Sequence, residues 1–148
     1  MRHGRIAALA IASVAGVLAT VPRAWADGTV NVVLEDASVG ENLSGMKMIA
    51  TPDSVRSGRI TIHATNSSNA LVHEVIVVRA PANGALPYDD RQGAVIEKRI
   101  KDLGEVPDLP AGKSGSITLR LGPGSYLLIC NQPNHYKAGM WTRLTVTS

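Results

Sequence analysis

Apolar and polar residues alternate one by one through much of this chain. Val30, Val32 and Leu34 form one such set, and Met46, Met48 and Ala50 another. Ile60, Ile62 and Ala64 follow, then Ile117, Leu119 and Leu121, and finally Leu144 and Val146 within Thr142 to Thr147. A strand turns successive side chains to opposite faces, so this period of two marks strands with one buried face. Val72 to Val78 and Tyr126 to Cys130 are more continuously apolar, as expected of central strands. Turn-forming residues separate the runs, at Ser57-Gly58, Asn66-Ser67-Ser68-Asn69, Ala111-Gly112-Lys113 and Gly122-Pro123-Gly124. Roughly seven short strands in about 120 residues predict an all-β fold, a Greek-key two-sheet β-sandwich of antiparallel strands. Phe is absent and aromatics make up only 3% of the chain, so its core must be aliphatic.

One stretch departs from that period. Val95, Ile96, Ile100 and Leu103 lie at helical spacings among Glu, Lys and Arg. They predict one short helix of about two turns in an insertion, packed outside the sandwich. The irregular segment Pro81 to Gly93 leads into it. No internal repeat or low-complexity tract is present.

The N-terminal residues read differently. Arg2, His3 and Arg5 precede sixteen uncharged, mostly apolar residues from Ile6 to Val21, and Ala24-Trp25-Ala26 follows Pro22 and Arg23. A basic start, a short apolar run and small residues two apart make a secretory signal over 1–26, cleaved after Ala26. The run is short of the roughly 20 residues that cross a bilayer, so no membrane span is expected after cleavage. With neither a twin arginine nor an early cysteine, the expectation is a soluble periplasmic domain over 27–148. Three of the 15 Lys and Arg and none of the 12 Asp and Glu fall before residue 27, so the remaining charges balance. No basic stripe with interleaved aromatics exists, which excludes a nucleic-acid partner.

Cysteine narrows the chemistry further. Exported proteins usually carry cysteines in pairs, yet Cys130 stands alone. A single thiol in an oxidising compartment calls for burial, crosslinking or ligation. Cys130, His135 and Met140 are spaced C-x4-H-x4-M, between an apolar strand and the last strand. Thiolate, imidazole and thioether together suit copper, whose two oxidation states favour soft sulfur and imidazole respectively. A blue-copper centre needs a second histidine, from His63 or His73. His63 shares its strand face with Thr61 and Thr65, opposite Ile60, Ile62 and Ala64, and so faces solvent. His73 opens an apolar strand on the face of Val75 and Val77. Alone it reads as a core-edge histidine; with the downstream loop it becomes the better ligand candidate.

Asn66 to Val78 and Ser125 to Val146 resemble the cupredoxin, or blue-copper, family. The likeness is to small bacterial cupredoxin-like copper-binding proteins with an azurin-like ligand-loop spacing, and it spans most of residues 27–148. The resemblance implies a β-sandwich holding one Cu(I)/Cu(II) ion, with His73, Cys130 and His135 as equatorial ligands and Met140 as the weak axial ligand. It implies outer-sphere electron transfer rather than an enzyme, by a monomer. Transient redox partner proteins would dock on a small apolar patch of Pro133, Ala138, Gly139 and Met140 around the His135 edge. The alternative with the same ligands is a periplasmic copper carrier or reservoir. Two positions depart from the family pattern. Glu74 stands where many members have Asn; its carboxylate either ties the two ligand loops together or adds negative charge beside the metal. Asn134 replaces a frequent glycine, which fits a left-handed backbone.

Other groupings have plainer readings. Met46 and Met48 could form a Cu(I) pair, but alternation through Ala50 makes them strand core. Cys130 with a histidine could be a nucleophile and its base, but that leaves the methionine and the loop spacing unexplained. Glu74, Asp89 and Asp90 do not form a carboxylate pair suited to glycoside hydrolysis.

Overall fold

The computed structural model describes residues 26–37, 43 and 45–148. Nearly all of the expected signal segment therefore lies outside the described residues. Strands β1 (Ala26–Glu35), β2 (Lys47–Thr51), β4 (Gly58–Asn66) and β9 (Ser114–Leu121) form one sheet, in the order β2-β1-β4-β9. Strands β3 (Ser54–Arg56), β5 (His73–Arg79), β8 (Asp102–Leu109), β10 (Gly124–Ile129) and β11 (Trp141–Thr147) form the second, in the order β3-β11-β10-β5-β8. A short ribbon of β6 (Tyr88–Asp89) and β7 (Ala94–Val95) stands apart. The sandwich expected from alternation is present, and the described residues hold four strands beyond the seven expected: β3, β6 and β7 are only two or three residues long, and the eight-residue β8 begins where the sequence suggested the end of a helix.

It is not wholly antiparallel. β1 runs parallel to β4 and β11 parallel to β3. Between β2 and β4 the chain crosses to the second sheet to form β3, then returns beside β1 in the same direction.

The alternation sets the core. Val30, Val32, Leu34, Met48, Ile60, Ile62 and Ala64 point inward from the first sheet and are buried. Val75, Val77, Tyr126, Leu128, Leu144 and Val146 belong to the same buried cluster. Burying each such side chain stabilises the fold by roughly 1.5–3 kcal/mol. Met46 and Met48 are in this core, in keeping with the plainer reading. The second sheet is covered on its outer face too: Ile76, Val78, Leu127 and Ile129 pack against Leu86 and Val95 of the insertion. Burial on both faces explains why β5 and β10 lack polar alternation.

The expected helix is not formed. Val95 belongs to β7, a single 3-10 turn covers Glu97–Arg99, and Leu103 lies in β8. Asn131 grips the backbone at Val95, taking its N–H at 2.6 Å and donating to its carbonyl at 3.1 Å. The Ile96 backbone, at φ −78° and ψ 90°, is then outside the helical region. Too few residues remain before β8 to offset helix nucleation. Val95 nonetheless packs on the outside of the sandwich as the helical reading required.

Candidate metal centre

Asn66, fully buried at the end of β4, shapes the turn that leads to His73. Its amide nitrogen donates to the carbonyls of Leu71 at 2.8 Å and Leu109 at 2.7 Å. Its oxygen accepts the Ser68 N–H at 2.9 Å. His73 then enters β5 with its ring inward, in line with Val75 and Val77. This places it as its strand face requires. His63 is exposed on the outer face of β4, away from this cluster.

The adjacent strand, β10, brings Cys130 to the same end of the sandwich. The Cys130 N–H donates to the Met140 carbonyl at 3.0 Å, and the Met140 N–H donates to the His135 carbonyl at 3.0 Å. These bonds close the loop over 130–140 at its base. Asn134 has φ 68°, the left-handed conformation that asparagine tolerates. Its N–H donates to the Gly93 carbonyl at 2.6 Å. Gly93 itself has φ +67°, and a Cβ there would come within 2.5 Å of the Asn134 side-chain oxygen. The insertion thus supports the loop through a contact only glycine permits. Glu74 links the two ligand-bearing segments: its Oε1 accepts the Asn131 N–H at 3.1 Å.

Three donor atoms converge. The Nδ1 atoms of His73 and His135 are 3.1 Å apart, with ring centroids 4.9 Å apart and planes at 55°. Cys130 Sγ lies 3.8 Å from His73 Nδ1 and 3.5 Å from His135 Nδ1. All three fall within 4.8 Å of one another, the spacing of groups that can share one metal ion. His73 and Cys130 are fully buried, and His135 is 6% exposed. Behind His73, the Asp36 carboxylate lies 3.0 Å from Nε2. Sequence reasoning missed Asp36: it is 37 positions from His73, and a lone carboxylate after a strand reads as solvated.

Burial dominates the electrostatics. It pushes the Cys130 thiol up to about 12, opposed by hydrogen bonds from the backbone amides of Glu74 and Gln132. It takes His135 down to about 4, helped by the neighbouring His73. It raises Glu74 to about 7, against the Asn131 N–H and with Asp108, Glu105 and Glu97 adding repulsion. In the absence of a cation, Cys130 is therefore held as the thiol and His135 as the neutral imidazole. An ion entering among them must displace the thiol proton.

Met140 is fully buried in the main core cluster with Cys130. The apolar patch expected around His135 therefore excludes it: the loop folds its side chain inward to fill the sandwich end. Pro133 and Ala138 are exposed, together with Trp141.

No family model matches the chain. A 40-residue segment, 26% of this chain, is 60% identical to auracyanin-B of Chloroflexus aurantiacus, and it spans 17% of that protein. Among solved structures, dithionite-reduced auracyanin of Roseiflexus castenholzii superposes with a TM-score of 0.56 at 24% identity, over 84% of this chain and 99% of that one. Auracyanin A, a "blue" copper protein of Chloroflexus aurantiacus, gives 0.56 at 19% identity, over 82% of this chain and all of that one (100%). Rusticyanin of Thiobacillus ferrooxidans gives 0.55 at 15% identity, over 80% and 77% of the two chains. The chain has the β-sandwich fold of the cupredoxins and resembles the blue copper proteins of that fold, the auracyanins and rusticyanin.

Proposed function

We propose that this chain is an exported mononuclear blue copper protein that carries one electron at a time between redox partners. In this reading His73, Cys130 and His135 are the equatorial ligands and Met140 is the weak axial one. The observation that carries it is the convergence of two imidazole Nδ1 atoms and one thiol within 4.8 Å, buried at one end of a β-sandwich. The donor set fits copper: thiolate and imidazole serve both Cu(I) and Cu(II), and a weak thioether leaves either state acceptable. The likeness to auracyanin A, described as a "blue" copper protein, supports the same ion.

Bound copper supplies a one-electron couple. The chain's own residues do the rest. His73 is fixed in a central strand, and Cys130 directly follows another. The loop that bears His135 is clamped by the backbone bonds of Cys130 and Met140. Ligands held this way move little when charge changes, which keeps the barrier to electron transfer low. The Glu74 and Gln132 amides donate to the Cys130 sulfur. Such donors draw density from a thiolate and favour the reduced state. Burial of all three donors excludes water. The His135 edge, 6% exposed and beside exposed Pro133 and Ala138, is the shortest route to a docked protein. Such encounters are small and brief, and balanced charges over 27–148 give little long-range steering.

Export rests on the signal pattern over 1–26. Among the described residues no helix is long and apolar enough to cross a membrane.

The test is copper loading of the protein followed by visible absorption. One copper per chain and an intense thiolate-to-copper band are expected, with the band lost in Cys130→Ser. A colourless copper-loaded protein would sink the blue-copper reading.

A further inference from the structure

We propose that Asp36 is a positioning residue of the metal centre, which holds the proton of His73 on Nε2 and so turns the Nδ1 lone pair toward Cys130 and His135. The proposal rests on the copper reading above. Asp36 follows the last residue of β1, in the first sheet, whereas His73 opens β5 in the second. Their contact bridges the two sheets at the metal-binding end, with Oδ2 3.0 Å from Nε2. Both side chains are nearly or wholly removed from solvent, 4% exposed for Asp36 and 0% for His73. A buried carboxylate is costly unless it accepts hydrogen bonds.

An imidazole offers two nitrogens, and the acceptor beside one decides which carries the proton. An ionised carboxylate can only accept, so the hydrogen of this contact lies on Nε2. Nδ1 is then the free donor, 3.1 Å from His135 Nδ1 and 3.8 Å from the sulfur. The negative charge beside the ring also favours the more highly charged Cu(II). Asp36 therefore does two things at once. It sets the orientation of the ligand, and it lowers the reduction potential against the opposing pull of the amides on Cys130.

Two variants and three measurements test this. In metal-free native protein, 15N shifts should report His73 as the Nε2–H tautomer, with mixed tautomers in Asp36→Leu. A native Nδ1–H tautomer would overturn the proposal. In copper-loaded protein, Asp36→Asn keeps an acceptor but loses the charge, so it should retain copper with a raised reduction potential. Asp36→Leu loses both, and Cu(II) should bind about 10–100-fold more weakly. If Asp36→Leu does not fold, the Asn variant decides alone, and a native potential in it would overturn the proposal. Equal potentials and affinities in native protein and both variants would also overturn it, leaving the copper reading intact. Native protein that shows the Nε2–H tautomer but binds no copper would overturn the copper reading while the His73–Asp36 geometry stands.

Discussion

His73 and His135, 62 positions apart, hold their Nδ1 atoms 3.1 Å from each other inside the protein. Two lone pairs cannot face each other at that distance; a proton or a cation must lie between them. With the His73 proton taken toward Asp36, His135 Nδ1 carries the hydrogen of the metal-free pair. On metal binding that hydrogen moves to the other nitrogen of His135, while the Cys130 thiol must give up its proton. Metal loading should therefore release roughly one proton per ion near neutral pH. As pH falls through about 4, where His135 takes up a proton, the number should rise toward two. Titration with a redox-inert divalent ion in weakly buffered solution counts them. No release near neutral pH would mean that Cys130 is not a ligand.

Glu74 and His135 push the stability of the metal-free protein in opposite directions. Glu74 is raised from 4.5 to about 7, so the folded state binds its proton more tightly than the unfolded chain. That stabilisation is fully present below 4.5 and is lost as pH rises through about 7. His135 is lowered from 6.5 to about 4; its contribution is present above 6.5 and lost as pH falls through about 4. Glu74→Gln removes only the first trend. Its stability relative to native should therefore grow as pH goes from 4.5 to 7 and level off above, read by denaturant unfolding at several pH values. A difference independent of pH would show that ionising Glu74 carries no penalty.

The two candidate histidines separate by substitution. His73→Ala should leave an open coordination position, so that added imidazole restores the absorption band. His63→Ala, on the exposed face of β4, should leave the spectrum unchanged. A spectrum that depends on His63 and ignores His73 would reverse the ligand assignment.

Met140→Leu should keep copper and most of the colour while raising the reduction potential, because the lost thioether favours Cu(II) more than Cu(I). Leucine nearly matches methionine in volume, so the packing cost should stay below about 1.5 kcal/mol. Met140→Gln should lower the potential, since an amide oxygen is a harder donor. Voltammetry on the three proteins, with copper content checked, decides. An unchanged potential in the leucine variant would make Met140 core alone, and complete loss of copper would favour a copper carrier.

Asn66→Ala removes the side-chain donor to the buried Leu109 carbonyl and the acceptor of the Ser68 N–H, while the Leu71 carbonyl keeps the Ser68 hydroxyl. The expected loss is about 2 kcal/mol or more, at roughly 1–3 kcal/mol per unsatisfied group. It should be accompanied by weaker copper binding, because the same turn aims His73. Denaturant unfolding measures the first effect and metal competition the second.

What was legible in the chain followed from periodicity. Alternation through Ile60, Ile62 and Ala64 identified an inward face and, with it, the exposure of His63. The continuous apolar runs marked β5 and β10 as interior strands, and His73 and Cys130 lie at their ends. Asn134 was legible because few residues other than glycine adopt its backbone. What escaped depended on contacts distant in sequence. The helical spacing of Val95, Ile96, Ile100 and Leu103 was real, but Asn131 grips the backbone at Val95 and β8 begins at Asp102. Asp36 gave no local sign of its partner. Met140 could be placed in the loop by spacing, yet only the fold shows its side chain turned inward.

The bond from the Cys130 N–H to the Met140 carbonyl acts as a clasp at the neck of the ligand loop. Below it, Ile129 and Trp141 are already partners in the β10–β11 ladder. The β10–β11 ladder is thus complete without the loop. Sandwich and loop form separable modules. Residues between the clasp points other than Asn131, Asn134 and His135, which hold the insertion, Glu74 and the metal, can be exchanged to retune the metal while the scaffold stays constant.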